Sequence, residues 1–426
     1  MNFIIKDINQ LKKITIIDRI ILLIYSFIPI FLIIGTGLSE LAIIILSLKF
    51  IIDFLFLKKI KFHNKELIYF LLLIYLSLII NSFFSVNSEN SFLRNIFFFK
   101  YIIFIIGTID FFSKRELAFT LVIKIWTIIL IVFSIDLFIQ FFTQKNMIGI
   151  ESPLKYHRLS GFMGDELKAG ALILSFCFVI SGYFINHDKY KLNGLILLFL
   201  FIMTIFITGD RSNFIKSILI VSLLIFFIDR KYIKQTIVLS LISVSLITIL
   251  ISTNQVFKER FQNKILNEFK QNEFNINKFI KQTEYGKIYN SAYELFLEKK
   301  VFGVGNKNYR ILCEKDYRDK YSFEKEIKNP RCNTHPHQIY YEILSEHGIF
   351  GFTILIICLL GFVYTNFVFV LKKKNFLLIS LFFSILVVFI PLLPGGSFFT
   401  SFNASMFWLN VSFYYSCKNL CTKKKY

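Results

Sequence analysis

The sequence predicts an all-α, polytopic membrane protein, and three observations predict it. Hydrophobic residues make up 55% of its 426 positions, while Asp, Glu, Lys and Arg make up only 18%, against roughly 25% in soluble domains. Apolar runs of about 18 residues or more recur from end to end, each long enough to cross a hydrocarbon core of about 30 Å as a helix. The net charge of +21 comes from Lys and Arg clustered between those runs, where they act as topology signals and not as a nucleic-acid surface. An ordinary soluble enzyme is excluded, and no nucleic-acid partner is expected. The apolar stretch that follows Met1 to Lys13 is too long for a cleavable signal peptide and leads straight into further spans.

Taken in order, the spans fall at 17–34, 38–57, 67–84, 93–112, 117–142, 169–186, 192–208, 213–228, 233–252, 347–370, 375–392 and 400–416, about twelve helices. With a cytoplasmic N-terminus, the inside segments carry Lys6, Lys12, Lys13, Arg19, Lys58, Lys59, Lys61, Lys65, Lys114, Arg115, Lys189, Lys191, Arg230, Lys231, Lys234, Lys372 to Lys374, Lys418 and Lys423 to Lys425. The short outside connections carry only Arg94, Lys145, Lys155, Arg158, Lys168 and Arg211. Basic residues accumulate on cytoplasmic loops, so both termini are placed inside.

This orientation divides the chain into spans 1–9 at 1–252, one large extracytoplasmic loop at 253–338, and spans 10–12 with a cytoplasmic tail at 339–426. The loop's many charges of both signs suit a small folded cap in water, and long translocated loops are exempt from the charge bias. Lys49, Lys100, Lys124 and Lys216 fall within spans. Lys49 has Asp53 one turn away, whereas Lys100 and Lys216 lie nearer the outside and are placed to line a polar cavity. Cys177 and Cys358 lie in spans and Cys417 and Cys421 at the cytoplasmic end, leaving Cys313 and Cys332 together in the outer loop. Two cysteines in one oxidising compartment predict a disulfide. A metal site is less favoured there, because a C-x-x-C pair is missing.

Four polar stretches interrupt the apolar pattern, all on the outer side. His157 to Gly170 contains glycines that permit an irregular path at the membrane surface. Thr208-Gly209-Asp210-Arg211-Ser212-Asn213 puts Arg211 at a helix N-terminus, which already favours an anion; alone, it reads as a snorkelling arginine paired with Asp210. Val301 to Arg310 contains Phe-Gly-Val-Gly, too few glycines for a nucleotide fingerprint. Asn333 to Gly351 contains His335-Pro336-His337, where proline restricts its neighbours and holds two imidazoles near the next helix. Imidazole is the side chain best suited to exchange a proton near neutral pH.

In this order, the arginine-glycine loop, the outer arginine at a helix start, the Phe-Gly-Val-Gly loop and His-Pro-His before Glu346-x-Gly348-x-x-Gly351 resemble the O-antigen ligase and polymerase family of bacterial envelope glycosyltransferases. The resemblance is most specific over about 157–351, and Gln338 stands where the family usually carries Asn. It implies transfer of a glycan from an undecaprenyl diphosphate carrier to an acceptor hydroxyl, lipid A-core or glycan, outside the bacterial cytoplasmic membrane. It also implies metal-independent chemistry without a cofactor, with membrane lipids around the bundle. Forked guanidinium donors suit the diphosphate leaving group, which assigns Arg158 and Arg211 to it, with Arg310 as a third. His337 is the expected base and His335 its positioning neighbour, with Glu342 or Glu346 in support. Ligase is favoured over polymerase; a transporter of lipid-linked glycans is the alternative from another class, but its polar groups would gather at the midplane.

Overall fold

The computed structural model describes residues 15–57, 64–154, 157–263, 283–314 and 331–423. Lys6, Lys12, Lys13, Lys58, Lys59, Lys61, Lys155, Lys424 and Lys425 of the charge pattern lie outside the described residues, as do 264–282 and 315–330 of the long loop.

The described residues form helices joined by short turns, with no strand beyond one isolated bridge between Lys145 and Glu151. In chain order the main helices are α1 (Ile16–Ile34), α2 (Thr36–Leu57), α3 (Lys65–Phe83), α4 (Ser88–Phe97), α5 (Phe99–Ser113), α6 (Glu116–Thr143), α7 (Ala169–Ile185), α8 (Lys191–Ile207), α9 (Arg211–Ile225), α10 (Ile233–Thr253), α11 (Glu284–Glu298), α12 (Ile339–Lys373), α13 (Phe376–Leu386) and α14 (Ser401–Lys423). Seven helices among the described residues are long and apolar enough to cross a membrane, and two more apolar helices are shorter. The chain is a multi-pass membrane protein, and its apolar periodicity has no polar face because the surroundings are apolar too.

Local chemistry sets the helix starts. Thr15, Asp210, Thr283 and Asn375 each cap a helix by accepting a hydrogen bond from a backbone N–H in its first turn, which satisfies a donor that has no partner within the helix. Boundaries differ from the predicted spans in three places. The fourth span is two helices joined at Phe98. The segment predicted at 375–392 leaves helical geometry after Phe389. The tenth helix starts at Ile339, not 347, and is bent at Gly348.

One continuous core runs through the bundle. Trp126 is completely buried beside Phe176 and Phe413, and its indole N–H donates to the Tyr25 carbonyl at 2.9 Å. Ile237, Val238, Leu241 and Val244 of α10 are exposed, as expected of a helix face turned to lipid. The lysines predicted inside spans are partnered: Lys100 with Glu40 at 2.7 Å, Lys49 with Asp53 and Asp18, and Lys216 with the Pro394 carbonyl at 3.2 Å.

Outside the bundle, α11 and the segments 299–314 and 331–338 share a second small core of Ile288, Ala292, Leu295, Val304, Tyr309, Cys313 and Cys332. Cys313 and Cys332 are joined by a disulfide with Cα atoms 5.7 Å apart. The ring of Tyr289 stacks on Tyr341 of α12 at 4.9 Å and ties this core to the bundle.

The bend in α12 is a joint. Gly348 adopts φ 63° and ψ −166°, a conformation open essentially to glycine alone. The opened turn pairs with the loop before Arg310: Val304 and Gly305 N–H groups donate to the Ser345 and Glu346 carbonyls at 2.9 and 2.8 Å, and Ile349 and Phe350 N–H groups donate to Lys300 and Val301 carbonyls at 2.8 and 3.1 Å. A Cβ on Gly348 would lie 2.3 Å from the Val301 oxygen, and one on Gly303 would lie 2.5 Å from the Glu346 carbonyl carbon. Phe-Gly-Val-Gly and Glu-x-Gly are therefore two halves of one backbone contact. Asn81 of α3 seals it by donating to the Phe302 and Glu346 carbonyls at 2.7 and 3.0 Å.

Candidate functional site

Two groups of side chains meet where the loop core sits on the bundle. The first is a cluster of guanidinium groups around Asp210. Asp210 caps α9, and its carboxylate accepts from Arg158 Nη2 at 3.2 Å and Asn213 Nδ2 at 2.8 Å. Arg158 Nη2 also donates to the Leu167 carbonyl at 2.7 Å, fixing the irregular 157–168 segment over the start of α9. That segment approaches closely because position 209 is glycine: at φ 71°, a Cβ there would lie 2.4 Å from the His157 oxygen.

Arg211 opens α9, where free N–H groups favour an anion, and its Nη1 donates to the Arg260 carbonyl at 3.4 Å. Arg260 was not among the residues expected from sequence. It lies on a π-helical turn, Lys258–Asn263, and its Nη2 donates to the Gly209 carbonyl at 2.7 Å. Its Nε is buried with no hydrogen-bond partner among the described residues. Burial, then the positive charges of Arg211 and Arg158, push its guanidinium down to about 10, so it remains charged at neutral pH. Three guanidinium groups around one carboxylate, with a buried donor unused, make an undercompensated positive cluster.

The second group is the histidine pair. The rings of His335 and His337 lie 4.1 Å apart, and the ring of Tyr285 on α11 meets His337 edge to face at 5.8 Å. His335 Nε2 faces the Gly395 carbonyl at 3.3 Å and Nδ1 faces the Thr334 hydroxyl at 3.0 Å. A carbonyl accepts only, so Nε2 carries the proton and Nδ1 accepts. Burial lowers the His335 pKa from 6.5, opposed by the charge of Glu342. Both of its nitrogens are occupied and its ring is held neutral.

His337 has a left-handed φ of 57°, and its carbonyl accepts from the Gly395 N–H at 2.7 Å. Gln338 then caps α12 by accepting from Tyr340 and Tyr341 N–H groups at 2.8 and 3.2 Å. Tyr285 joins the two groups: burial raises its pKa, while the charges of Arg211 and Arg158 oppose the rise and Asp210 adds to it. The phenol thus lies within the field of the guanidinium cluster while its ring touches His337.

The two glutamates are buried behind the pair. Glu342 accepts from the Phe398 N–H at 2.9 Å and from the Ser397 hydroxyl, and Lys307 Nζ lies 3.4 Å from it. It fixes the 394–398 loop that carries Gly395, so its support reaches His335 through that loop. Glu346 accepts from the Tyr309 N–H at 3.3 Å and holds the turn after Asn306. Arg310 is exposed, and among the described residues nothing joins it to the guanidinium cluster. The structure thus brings Arg158 and Arg211 together with Arg260, and His337 with His335 and Tyr285, but leaves Arg310 apart.

The one sequence sign near Arg260 is an aromatic pair, which does not by itself single out the arginine. Phe257 and Phe261 bracket it, and both rings pack on Phe206 of α8, at 5.1 and 4.6 Å. An aromatic pair four residues apart just past a span marks a segment that folds back onto the bundle. Among the described residues, no group of three or more His, Cys, Asp or Glu side chains is arranged to hold a metal ion.

The family model described as O-antigen ligase matches residues 196–356, the stretch that holds Arg211, Arg260, the loop core, both histidines and both glutamates. It bears out the family resemblance carried by the motifs. Arg158 lies before the matched stretch. No curated protein matches the chain.

Proposed function

We propose that this protein transfers a glycan from an undecaprenyl diphosphate carrier to an acceptor hydroxyl, as an O-antigen ligase. The single observation that carries the reading is the undercompensated cluster of Arg158, Arg211 and Arg260 beside a histidine pair, with Tyr285 against His337 and within the field of the guanidinium groups. The guanidinium groups receive the diphosphate. Charge grows on its oxygen as the bond to the anomeric carbon breaks, and fixed charge-assisted donors stabilise that growth with little reorganisation.

The attacking acceptor oxygen forms the new bond to the anomeric carbon and passes its proton to His337, while the electron pair of the old bond leaves on the diphosphate. His335, neutral and held at both nitrogens, positions the ring of His337. Under this reading the chain sits in the bacterial cytoplasmic membrane with about twelve spans, segment 253–338 and the site face the periplasm, and the reaction uses neither metal nor cofactor. The excess of Lys and Arg in the opposite connections supports that orientation.

The test is donor binding and transfer by purified variants in detergent with a chelator present. His337→Ala is expected to bind donor and fail to transfer, whereas Arg158→Ala is expected to lose both. Full transfer by His337→Ala would remove the proposed base, and activity lost with the chelator would replace this mechanism with a metal-dependent one. Deleting the gene separates ligase from polymerase: a ligase mutant lacks all long chains on the lipid A core, while a polymerase mutant retains single-repeat chains.

A further inference from the structure

The connection between α6 and the Arg158 segment carries apolar side chains that neither the guanidinium cluster nor the histidine pair uses. Met147, Ile148 and Ile150 surround Gly149 on a tight turn, and Met147 and Ile148 are 55% and 65% exposed. Their backbone, by contrast, is closed. Met147 N–H donates to Asp136 Oδ1 at 2.8 Å, Ile148 and Ile150 N–H groups donate to Asn146 Oδ1 at 3.2 and 2.7 Å, and Gly149 N–H donates to the Asn146 carbonyl at 2.9 Å. Four consecutive N–H groups are thus satisfied without water, which is what a turn needs in order to leave it. The exposed apolar side chains supply the drive to do so.

The preceding helix places this turn at a bilayer surface. With 28 residues, α6 is about 42 Å long, which matches a bilayer with its headgroups, about 40–45 Å. Ile128, Val132, Ile135 and Phe142 form an exposed apolar stripe along it, and exposed apolar residues resume in the turn. The turn also lies back against the helix, because Asp136, which receives the Met147 N–H, stands about two helical turns before the end of α6 at Thr143. Lys145 and Glu151 pair across its neck. A charged neck and an apolar tip suit the boundary between headgroups and acyl chains.

The side chains that shape the turn also hold the arginine segment. Gln140 Oε1 accepts from the Ser160 and Gly161 N–H groups at 3.1 and 2.8 Å, while its Nε2 donates to the Ile150 carbonyl at 3.3 Å. Asn146 Nδ2 donates to the Gly161 carbonyl at 3.0 Å, and a Cβ on Gly161 would lie 2.8 Å from Asp136 Oδ2. Asp136, Gln140 and Asn146 are all buried. Turn and segment are therefore fastened together three residues from Arg158.

We propose that residues 146–150 are a membrane seat: Met147, Ile148 and Ile150 rest among the lipids of the outer leaflet, and the turn thereby holds Arg158 at the depth of lipid phosphates. The occupant is the bilayer and not a partner protein, because the surface continues the lipid-facing stripe of α6 and its backbone is already closed to further pairing. The seat itself stands without the transferase reading; its bearing on donor binding rests on that reading.

The test is the depth of a nitroxide on Ile148→Cys, read by spin relaxation in the purified full-length protein in dioleoyl phosphatidylglycerol nanodiscs. Cys421→Ser removes the half-buried thiol, and Cys177, Cys358 and Cys417 are buried. Glu298→Cys, on the exposed end of α11, is the reference in water. The label at 148 is expected to be relaxed by oxygen and shielded from an aqueous nickel chelate, and the label at 298 the reverse. Nickel access at 148 equal to that at 298 would overturn the seat, as would shielding from both reagents, which would mean cover by protein. Ile148→Asp should keep the wild-type melting midpoint in detergent, since its side chain lies outside the core, yet weaken undecaprenyl diphosphate binding in nanodiscs about tenfold. Ile148→Leu should bind as wild type does. Wild-type affinity in Ile148→Asp would overturn the hold on Arg158. Wild-type protein whose turn is seated but which binds no undecaprenyl diphosphate would sink the donor reading and leave the seat standing.

Discussion

Replacing Gly348 by alanine tests whether the bend in α12 holds the outer loop on the bundle. Two costs add at this position. Its φ of 63° and ψ of −166° fall in a region that costs a non-glycine residue about 1–3 kcal/mol. A Cβ would also stand 2.3 Å from the Val301 oxygen and 2.6 Å from the Gly303 nitrogen, both backbone atoms that cannot rotate away. Relief requires the 300–305 segment to withdraw, which breaks some of the four backbone hydrogen bonds across the joint at about 0.5–1.5 kcal/mol each. A loss of about 3–5 kcal/mol follows. Gly303→Ala attacks the same contact from the other side, at 2.5 Å from the Glu346 carbonyl carbon. Once one substitution has opened the joint, the second has little left to break. The double variant should therefore lose clearly less than the sum of the singles. Thermal unfolding in detergent is the assay, with Gly351→Ala excluded as a control because it packs on His347. A Gly348→Ala protein with the wild-type melting midpoint, or additive losses in the double variant, would refute the joint.

Three further outcomes follow from the site. Arg260→Ala should weaken binding of undecaprenyl diphosphate about tenfold or more by removing charge-assisted hydrogen bonds, and Arg260→Lys should recover only part of this because an ammonium lacks the fork; wild-type affinity in the alanine variant would remove Arg260 from the donor site. Because burial lowers the His335 pKa from 6.5, the unfolded chain binds the proton more readily. The stabilising contribution of neutral His335 is thus complete above about pH 6.5 and lost as pH falls through the lower folded value, so the melting midpoint should fall on acidification and His335→Gln should flatten that slope. Cys313→Ser opens a loop of 19 residues, worth about 3 kcal/mol by chain entropy, and should lower transfer while leaving membrane insertion intact; equal protease resistance of the outer loop in variant and wild type would count against it.

How far the sequence reaches depends on the range of the interaction. Helix positions are legible because each apolar run is a local property, and the described helices lie where the runs do. The breaks inside them are harder to see. Phe98 interrupts the fourth run without proline or glycine, and Gly348 bends α12 because of a loop segment more than forty residues away. The histidines and Arg211 were legible as polar residues at the ends of apolar runs. Arg260 was not, since one arginine among the lysines and glutamates of a charged loop gains meaning only when Phe257 and Phe261 dock it on Phe206. Arg310 looked equivalent by composition, yet it sits on the exposed side of the loop core, and sequence spacing does not say which side of a small core a residue takes.

Gln338 shows how a local rule and a tertiary one share a motif. Its side chain caps α12 through two backbone N–H groups, a task that Asn performs with a shorter reach. The extra methylene keeps the amide at the N-terminus of α12, so the departure from the family's usual residue preserves the helix start. That start fixes the residue before it. His337 must leave an extended cap through a left-handed φ of 57°, which ordinary residues adopt at some cost, and its carbonyl is pinned by the Gly395 N–H. The same glycine's carbonyl holds His335, and Ser212 and Lys216 of α9 both donate to the neighbouring Pro394 carbonyl. The helix that begins with Arg211 therefore sets the position of both imidazoles through two residues of one loop. A displacement of α9 on binding an anion at Arg211 would reach the histidine pair by this route, through the hydrogen bonds of Pro394 and Gly395.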